Sequence, residues 1–159
     1  MIFVTVGTQL PFERLIEQVD AWAAAHPEQE CFAQIGQTKY RPTAMEFTEM
    51  MTPKEYQDCF NRARVLVSHV GMGTIISGLE AGKPLILMPR RASLGEHRSD
   101  HQLGSARKFA HHRLIQVVEN ANELDKALLT VINEEKNGEA VELTVSSSLI
   151  AAIKDFVNS

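Results

Sequence analysis

Apolar and polar positions fall in blocks along this chain, and the blocks come in two lengths. Short apolar runs, Ile2-Phe3-Val4-Thr5-Val6, Cys31-Phe32-Ala33-Gln34-Ile35, Val65-Leu66-Val67, Leu85-Ile86-Leu87-Met88 and Leu114-Ile115-Gln116-Val117-Val118, read as strands buried on both faces of a parallel sheet. Between them, apolar residues recur at helical spacing: Phe12, Leu15, Ile16, Val19 and Trp22; Tyr56, Phe60 and Ala63; Leu103, Ala106 and Phe109 in a helix over 100–111; Leu124, Ala127, Leu128, Val131 and Ile132. A further strand over 44–51 is read from Met45, Phe47 and Met50 or Met51. Thr52-Pro53-Lys54-Glu55 has the form of a capped helix start, and Asn122 reads as the cap of the helix that follows the strand at 114–118. A charged linker over 134–139 precedes an amphipathic last helix carrying Leu149, Ile150, Ile153, Phe156 and Val157.

Strands alternating with helices imply an α/β fold, a Rossmann-like parallel sheet of about six strands with helices on both faces, and no second-domain break interrupts residues 1–159. Ligands of such sheets bind beyond the carboxyl ends of the strands. Four polar segments should therefore gather on one rim: 7–9, 47–52, 69–74 and 90–102.

The stretch over 65–102 concentrates the candidate chemistry. An apolar strand runs into His69 and a turn containing Gly71, Met72 and Gly73; a short helix follows from Thr74 to about Ala81, then Gly82-Lys83-Pro84 and a second strand. The first-turn amides of a helix lack partners and carry the positive end of its dipole, so this junction suits phosphate oxygens. Gly71 and Gly73 would let backbone approach a ligand, and Thr74 would cap the helix or donate a hydroxyl bond. The turn has neither the Gly-Lys-Ser/Thr of a nucleotide-triphosphate loop nor the third glycine of a dinucleotide fingerprint, and tight turns that bind nothing also use such glycines.

The 90–102 loop then brings Arg90, Arg91, His97 and Arg98, with Asp100, His101 and Gln102 opening the next helix. Amide and imidazole groups beside a phosphate-sized turn suit sugar hydroxyls, and arginines suit carboxylate or phosphate. The bland alternative is a solvated loop whose arginines pair with Glu96 and Asp100. His97 and His101 would share a face if helical, with Asp100 between them, but the zinc-protease glutamate is missing and no cysteine lies near. No Asp-x-Asp pair is present to hold a magnesium diphosphate.

Composition narrows the class without choosing within it. Hydrophobic residues make up 44% and charged residues 23%, ordinary globular values, and a net charge of -4 with no basic run argues against a nucleic-acid binder. Cys31 and Cys59 are lone thiols without metal spacing, so a reducing, cytoplasmic setting is expected. The opening strand is too short for a signal segment, and no apolar run reaches membrane-spanning length. A hydrolase reading lacks a nucleophile elbow at Ser68.

The VTVGT opening with its FERLI helix, the SHVGMGT turn, the AGKPLILMPR segment and the DHQ close together resemble the C-terminal, donor-binding half of GT-B glycosyltransferases of family 28, over residues 1 to about 132. Within that family the resemblance is strongest to the small catalytic subunit of two-part UDP-sugar transferases. One branch is the N-acetylglucosaminyl transferase of dolichol-linked oligosaccharide synthesis. Another is the bacterial exopolysaccharide type, including β-1,4-glucuronosyl transferases, which the PRRASLGEHRSDHQ string resembles most.

The resemblance implies a set of donor-binding positions. Gly71, Met72, Gly73 and Thr74 would hold the UDP diphosphate, with His69 just before the turn and Gly7 and Thr8 across the cleft. Phe47 to Met50 would line the uracil, and His101 and Gln102 would meet the donor sugar. Where the family often has a ribose-binding glutamate, counting back from Gly82 gives Ser77; Glu80 lies three residues on. Arg90 or Arg91 would match a uronate carboxylate.

It also implies a division of labour. No cofactor or metal is expected beyond the UDP-sugar donor, and the base that activates the acceptor is expected on a membrane-anchored partner that completes the GT-B fold and brings a lipid-linked saccharide. The chain would then sit at the cytoplasmic membrane through that partner, with residues 140–159, including Val141, Leu143 and Val145, as a docking element. The competing reading is a non-catalytic, nucleotide-sugar-binding regulatory subunit.

Overall fold

The structure, a computed structural model, describes residues 1–8, 10–97 and 99–136. The expectations placed on Gln9, Arg98 and the segment 140–159 lie outside the described residues.

Six strands, β1 (Ile2–Thr5), β2 (Cys31–Gln34), β3 (Glu46–Thr48), β4 (Val65–His69), β5 (Leu85–Met88) and β6 (Ile115–Val117), form one all-parallel sheet in the order β3-β2-β1-β4-β5-β6. Among the described residues, five α-helices connect or follow them: α1 (Glu13–Ala25), α2 (Pro53–Arg62), α3 (Met72–Glu80), α4 (His101–Phe109) and α5 (Ala121–Lys136).

Side chains alternate across each strand, so the sheet splits its apolar residues between two cores. Ile2, Val4, Val6, Val65, Val67, Ile86 and Met88 pack with α1 and α5. Phe3, Leu66, Leu85, Leu87 and Ile115 pack with α2, α3 and α4. The two layers are the reason the strand runs are apolar throughout.

The chain order steps outward from β1 to β3 and returns to the far side of β1 as β4. Loops leaving β1 and β4 therefore diverge to opposite faces and leave a crevice between them at the carboxyl rim, the switch point at which such sheets bind ligands. Among the described residues no helix is long and apolar enough to cross a membrane.

Several boundaries differ from the sequence reading, each for a local reason. The strand expected over 44–51 shrinks to β3 because the buried Asp20 carboxylate takes the backbone N–H groups of Thr43 and Ala44, together with the Tyr40 hydroxyl. α4 starts at His101 because Asp100 turns its carboxylate back to the Ala92 N–H instead of capping the helix. Asn120, not Asn122, caps α5: its Oδ1 accepts from Glu123 N at 2.9 Å while Glu123 reaches back to Glu119 N. α5 also continues through Lys136, since the expected linker begins with good helix formers. At α2 the expected box is complete, with Thr52 and Glu55 exchanging side-chain and backbone bonds behind Pro53.

Candidate functional site

A cleft of about 290 Å³ opens at the switch point, lined by Val6, Gly7, Thr8 and Leu10 after β1, His69 at the end of β4, Arg90 after β5, and His97 and Gln102 before and within α4. A neighbouring cleft of about 210 Å³ shares Gly7, Thr8 and Leu10 and extends over Gly36, Gln37, Glu49 and Met50. Together they form a trough across the carboxyl ends of β2, β1, β4 and β5.

His69 is the pivot of the trough. An added Cβ at Gly7 would lie 2.9 Å from its Nε2, and one at Gly71 would lie 2.9 Å from both Nε2 and Cε1. The imidazole thus occupies the space that side chains at either position would need. These two glycines are required by a ring of the same chain. Gly73 is different: nothing lies within 4 Å of a Cβ built there.

Burial, and then the neighbouring Arg90 and His97 charges, push the His69 pKa down to about 4. The ring is neutral at physiological pH. Because an unfolded histidine titrates near 6.5, the unfolded chain binds this proton first as pH falls. Stability from this group is therefore full above about 6.5 and declines as pH drops toward about 4, by up to about 3 kcal/mol. Denaturant titrations across that range should show the slope, and His69→Ala should remove its share.

Behind the ring, Gln102 is buried and its amide oxygen accepts from Val70 N at 3.3 Å and Arg90 N at 3.1 Å, while its nitrogen meets His69 Nδ1 at 3.2 Å.

Arg90 is only 3% exposed, and its two terminal nitrogens donate to four carbonyls, Val6 at 2.6 Å, Leu10 at 2.9 Å, Pro11 at 3.0 Å and Glu96 at 3.2 Å. Burial lowers its pKa to about 10, with Glu96 acting the other way, so it stays charged at neutral pH. Its guanidinium also stands 4.8 Å from the Phe12 ring centroid.

A second clamp lies alongside. Arg14 of α1 makes a two-pronged pair with Glu96 at 2.9 and 3.0 Å and also donates to the carbonyls of Pro89 and Glu119. Glu96 further accepts from Arg91 N. Through these bonds the loop after β1 and the loop after β5 are tied together on one side of the trough.

The start of α3 lies behind His69, where Gly71 abuts the ring. Its N-cap is Gly71, with no side-chain cap, so the first-turn amides of Met72, Gly73 and Thr74 keep no intrahelical acceptor. Thr74 does not cap the helix, since it lies three residues inside it; its hydroxyl instead meets Tyr56 Oη of α2 at 3.2 Å.

Gly7, Thr8, His69, Arg90 and Gln102 thus meet in one cleft, with Met50 on its extension. The other expected site residues lie elsewhere. Phe47 packs on the α1 side of the core with Arg41 over its ring, and Met72 packs on the α2 side. Ser77 and His101 are exposed and outside both cleft linings.

Neither arginine is placed as a uronate reader. Arg90 is committed to carbonyls, and Arg91 pairs with Glu119 at 2.9 Å away from the cleft. His97 and His101 do not share a helical face, because α4 begins only at His101; His97 Nδ1 accepts from Ser99 N. Lys83 closes the carboxyl end of α2 through the carbonyls of Asn61 and Ala63. Ser68 is fully buried with its hydroxyl on the His69 carbonyl, which removes it as a nucleophile, and burial raises the Cys31 thiol to about 11.

The clamp residues Arg14 and Glu96 were not legible as a pair: they are 82 positions apart, and only the fold brings them together.

The sequence profile of the glycosyltransferase family 28 C-terminal domain matches residues 1–156. The chain belongs to that family. Its solved relatives agree on the fold. The glycotransferase of kitacinnamycin is 19% identical with a TM-score of 0.60, over 87% of this chain and 36% of that one. MurG of Acinetobacter baumannii is 16% identical with a TM-score of 0.59, over 96% and 49%. The solution structure of ALG13 is 16% identical with a TM-score of 0.56, over 86% and 85%. This family 28 domain thus spans about a third to a half of the first two and most of the third. A search of curated proteins gives no match.

Proposed function

We propose that the chain is the donor-binding half of a two-part glycosyltransferase that moves a hexosyl group from a UDP-sugar to a lipid-linked saccharide. The observation that carries this reading is the open start of α3: an uncapped helix end beside the switch-point cleft, with Gly73 facing empty space. A diphosphate on those amides would place its sugar toward Thr8, His69 and His97 and its base toward Met50.

In the transfer, an acceptor hydroxyl oxygen attacks the anomeric carbon, the bond from that carbon to the diphosphate oxygen breaks, and UDP departs. Negative charge grows on the leaving oxygen. The α3 amides, the helix dipole and the buried positive charge of Arg90 favour it without requiring a metal. The hydroxyl proton needs a base, and His69, neutral to about pH 4, is too weak a base for that task. We assign the base and the acceptor pocket to a second, membrane-anchored subunit that closes over the trough, which holds this chain at the cytoplasmic membrane. The ALG13 structure, 85% of which this chain covers, has the extent of such a donor half. With both arginine forks engaged, the geometry favours a neutral hexosyl group over a uronosyl one.

Calorimetric titration with UDP, UDP-glucose, UDP-N-acetylglucosamine, UDP-glucuronate and ADP, with and without magnesium, tests this. Uridine nucleotides should bind in preference to ADP, and magnesium should change little. Gly73→Ala should weaken UDP binding about tenfold or more, yet leave stability unchanged or raised by about 0.5–1 kcal/mol, as expected for alanine within a helix. Preference for ADP, or undiminished UDP binding by the alanine variant, would remove the diphosphate from α3.

A further inference from the structure

We propose that Gln102 is a positioning residue: its side-chain amide dictates which ring nitrogen of His69 carries the proton, and so presents an N–H, not a lone pair, to the cleft. This assignment rests on the UDP-sugar reading for its consequence in binding but not for its chemistry.

The chemistry follows from donor and acceptor counting. Two backbone N–H groups, from Val70 and Arg90, point at one end of the Gln102 amide. A backbone N–H can only donate, so that end must be the carbonyl oxygen; the flipped amide would set donors against donors. The other end is then the NH₂ group, which donates to His69 Nδ1. A nitrogen that accepts cannot hold a proton, so the neutral ring carries its proton on Nε2.

Nε2 is the ring atom nearest the position of a Gly7 Cβ, and Gly7 and His69 both line that cleft. Among the described residues no acceptor meets it. The chain thus holds a donor aimed at the space where a ligand oxygen would lie, with its direction and its tautomer both set from behind.

Among the described residues, the charged and titratable groups that act on His69 are Arg90, after β5, and His97, before α4; the loop after β1 and the turn into α3 bring Gly7 and Gly71 against the ring. Both neighbours oppose a second proton on the ring, so the tautomer is the variable left for Gln102 to govern.

Gln102→Glu separates this role from a packing role. The carboxylate has nearly the same shape and still accepts from Val70 and Arg90, but its second oxygen cannot donate, so His69 Nδ1 must. Nitrogen-15 NMR of the full chain labelled at histidine reports the tautomer directly. The wild type should show Nε2–H at pH 7, and Gln102→Glu should show a proton on Nδ1. An Nδ1–H wild type overturns the proposal whether or not the variant folds, and an unchanged Nε2–H in a folded Gln102→Glu overturns it too.

UDP titration of the two proteins reads the consequence. Wild-type affinity should be nearly flat from pH 6 to 8.5. In Gln102→Glu it should fall about tenfold or more as pH rises, since a ring left with only Nδ1–H turns a lone pair toward the anion. A flat variant profile beside a shifted tautomer would overturn the link to binding. Failure of both proteins to bind UDP, with the tautomers as stated, would fault the nucleotide reading and leave the role of Gln102 standing.

Discussion

Arg90→Met should destabilise the chain by about 3–5 kcal/mol, because removing one member of a buried charged network leaves its partners desolvated and unbonded. Four carbonyls, of Val6, Leu10, Pro11 and Glu96, would lose their donors at once, and methionine offers none. The neighbouring Arg91→Met supplies the contrast. Its half-exposed pair with Glu119 is worth about 0–1 kcal/mol, as surface ion pairs usually are. Equilibrium denaturation of the two variants should give a large shift in midpoint for the first and a small one for the second. In binding, the first should weaken every UDP-sugar alike, since the loop after β1 loses its anchor, and the second should leave all donors nearly unchanged. A loss below about 1 kcal/mol for Arg90→Met would mean that these carbonyls find water readily. A selective loss of UDP-glucuronate in either variant would restore an arginine as a carboxylate reader.

The second large effect is steric. Gly71→Ala should cost about 1–3 kcal/mol, the usual range for overpacking a filled site, because its methyl group would stand 2.9 Å from the His69 ring. Its φ of -108° is open to any residue, so the ring is the whole obstacle. In a His69→Ala background the same substitution should cost less than about 0.5 kcal/mol, and the difference is the coupling read from a double-mutant cycle. Gly7→Ala behaves otherwise: at φ +78° it keeps a backbone penalty of about 1–2 kcal/mol even without the ring. Four denaturation curves for each cycle settle the matter. An equal cost for Gly71→Ala in both backgrounds would show that something other than His69 fills the space.

The fold was readable because the runs at β1, β4 and β5 are apolar on both faces and a helical stripe follows every strand but β2, so pattern alone implied a layered parallel sheet. The rim was readable for the same reason: once the strands are placed, the residues after them must meet. Within the rim, sequence could not show which side chains serve the protein itself. Gly71 looked like room for a ligand and is room for His69; Arg90 looked like a hand for a carboxylate and holds carbonyls. Both are contacts between segments distant along the chain, which no local spacing encodes. Asp20 misled in the same way, drawing into a loop the backbone groups that a short apolar pattern had placed in a strand.

The Arg90 and Arg14–Glu96 bonds bear on binding entropy as well as on stability. A loop that closes only around its ligand subtracts its ordering cost from affinity at each encounter. Here the loops after β1 and β5 are fastened to each other and to α1 by bonds that form when the chain folds. That wall of the trough is preorganised, so a ligand arriving there would have chiefly its own conformational freedom to suppress.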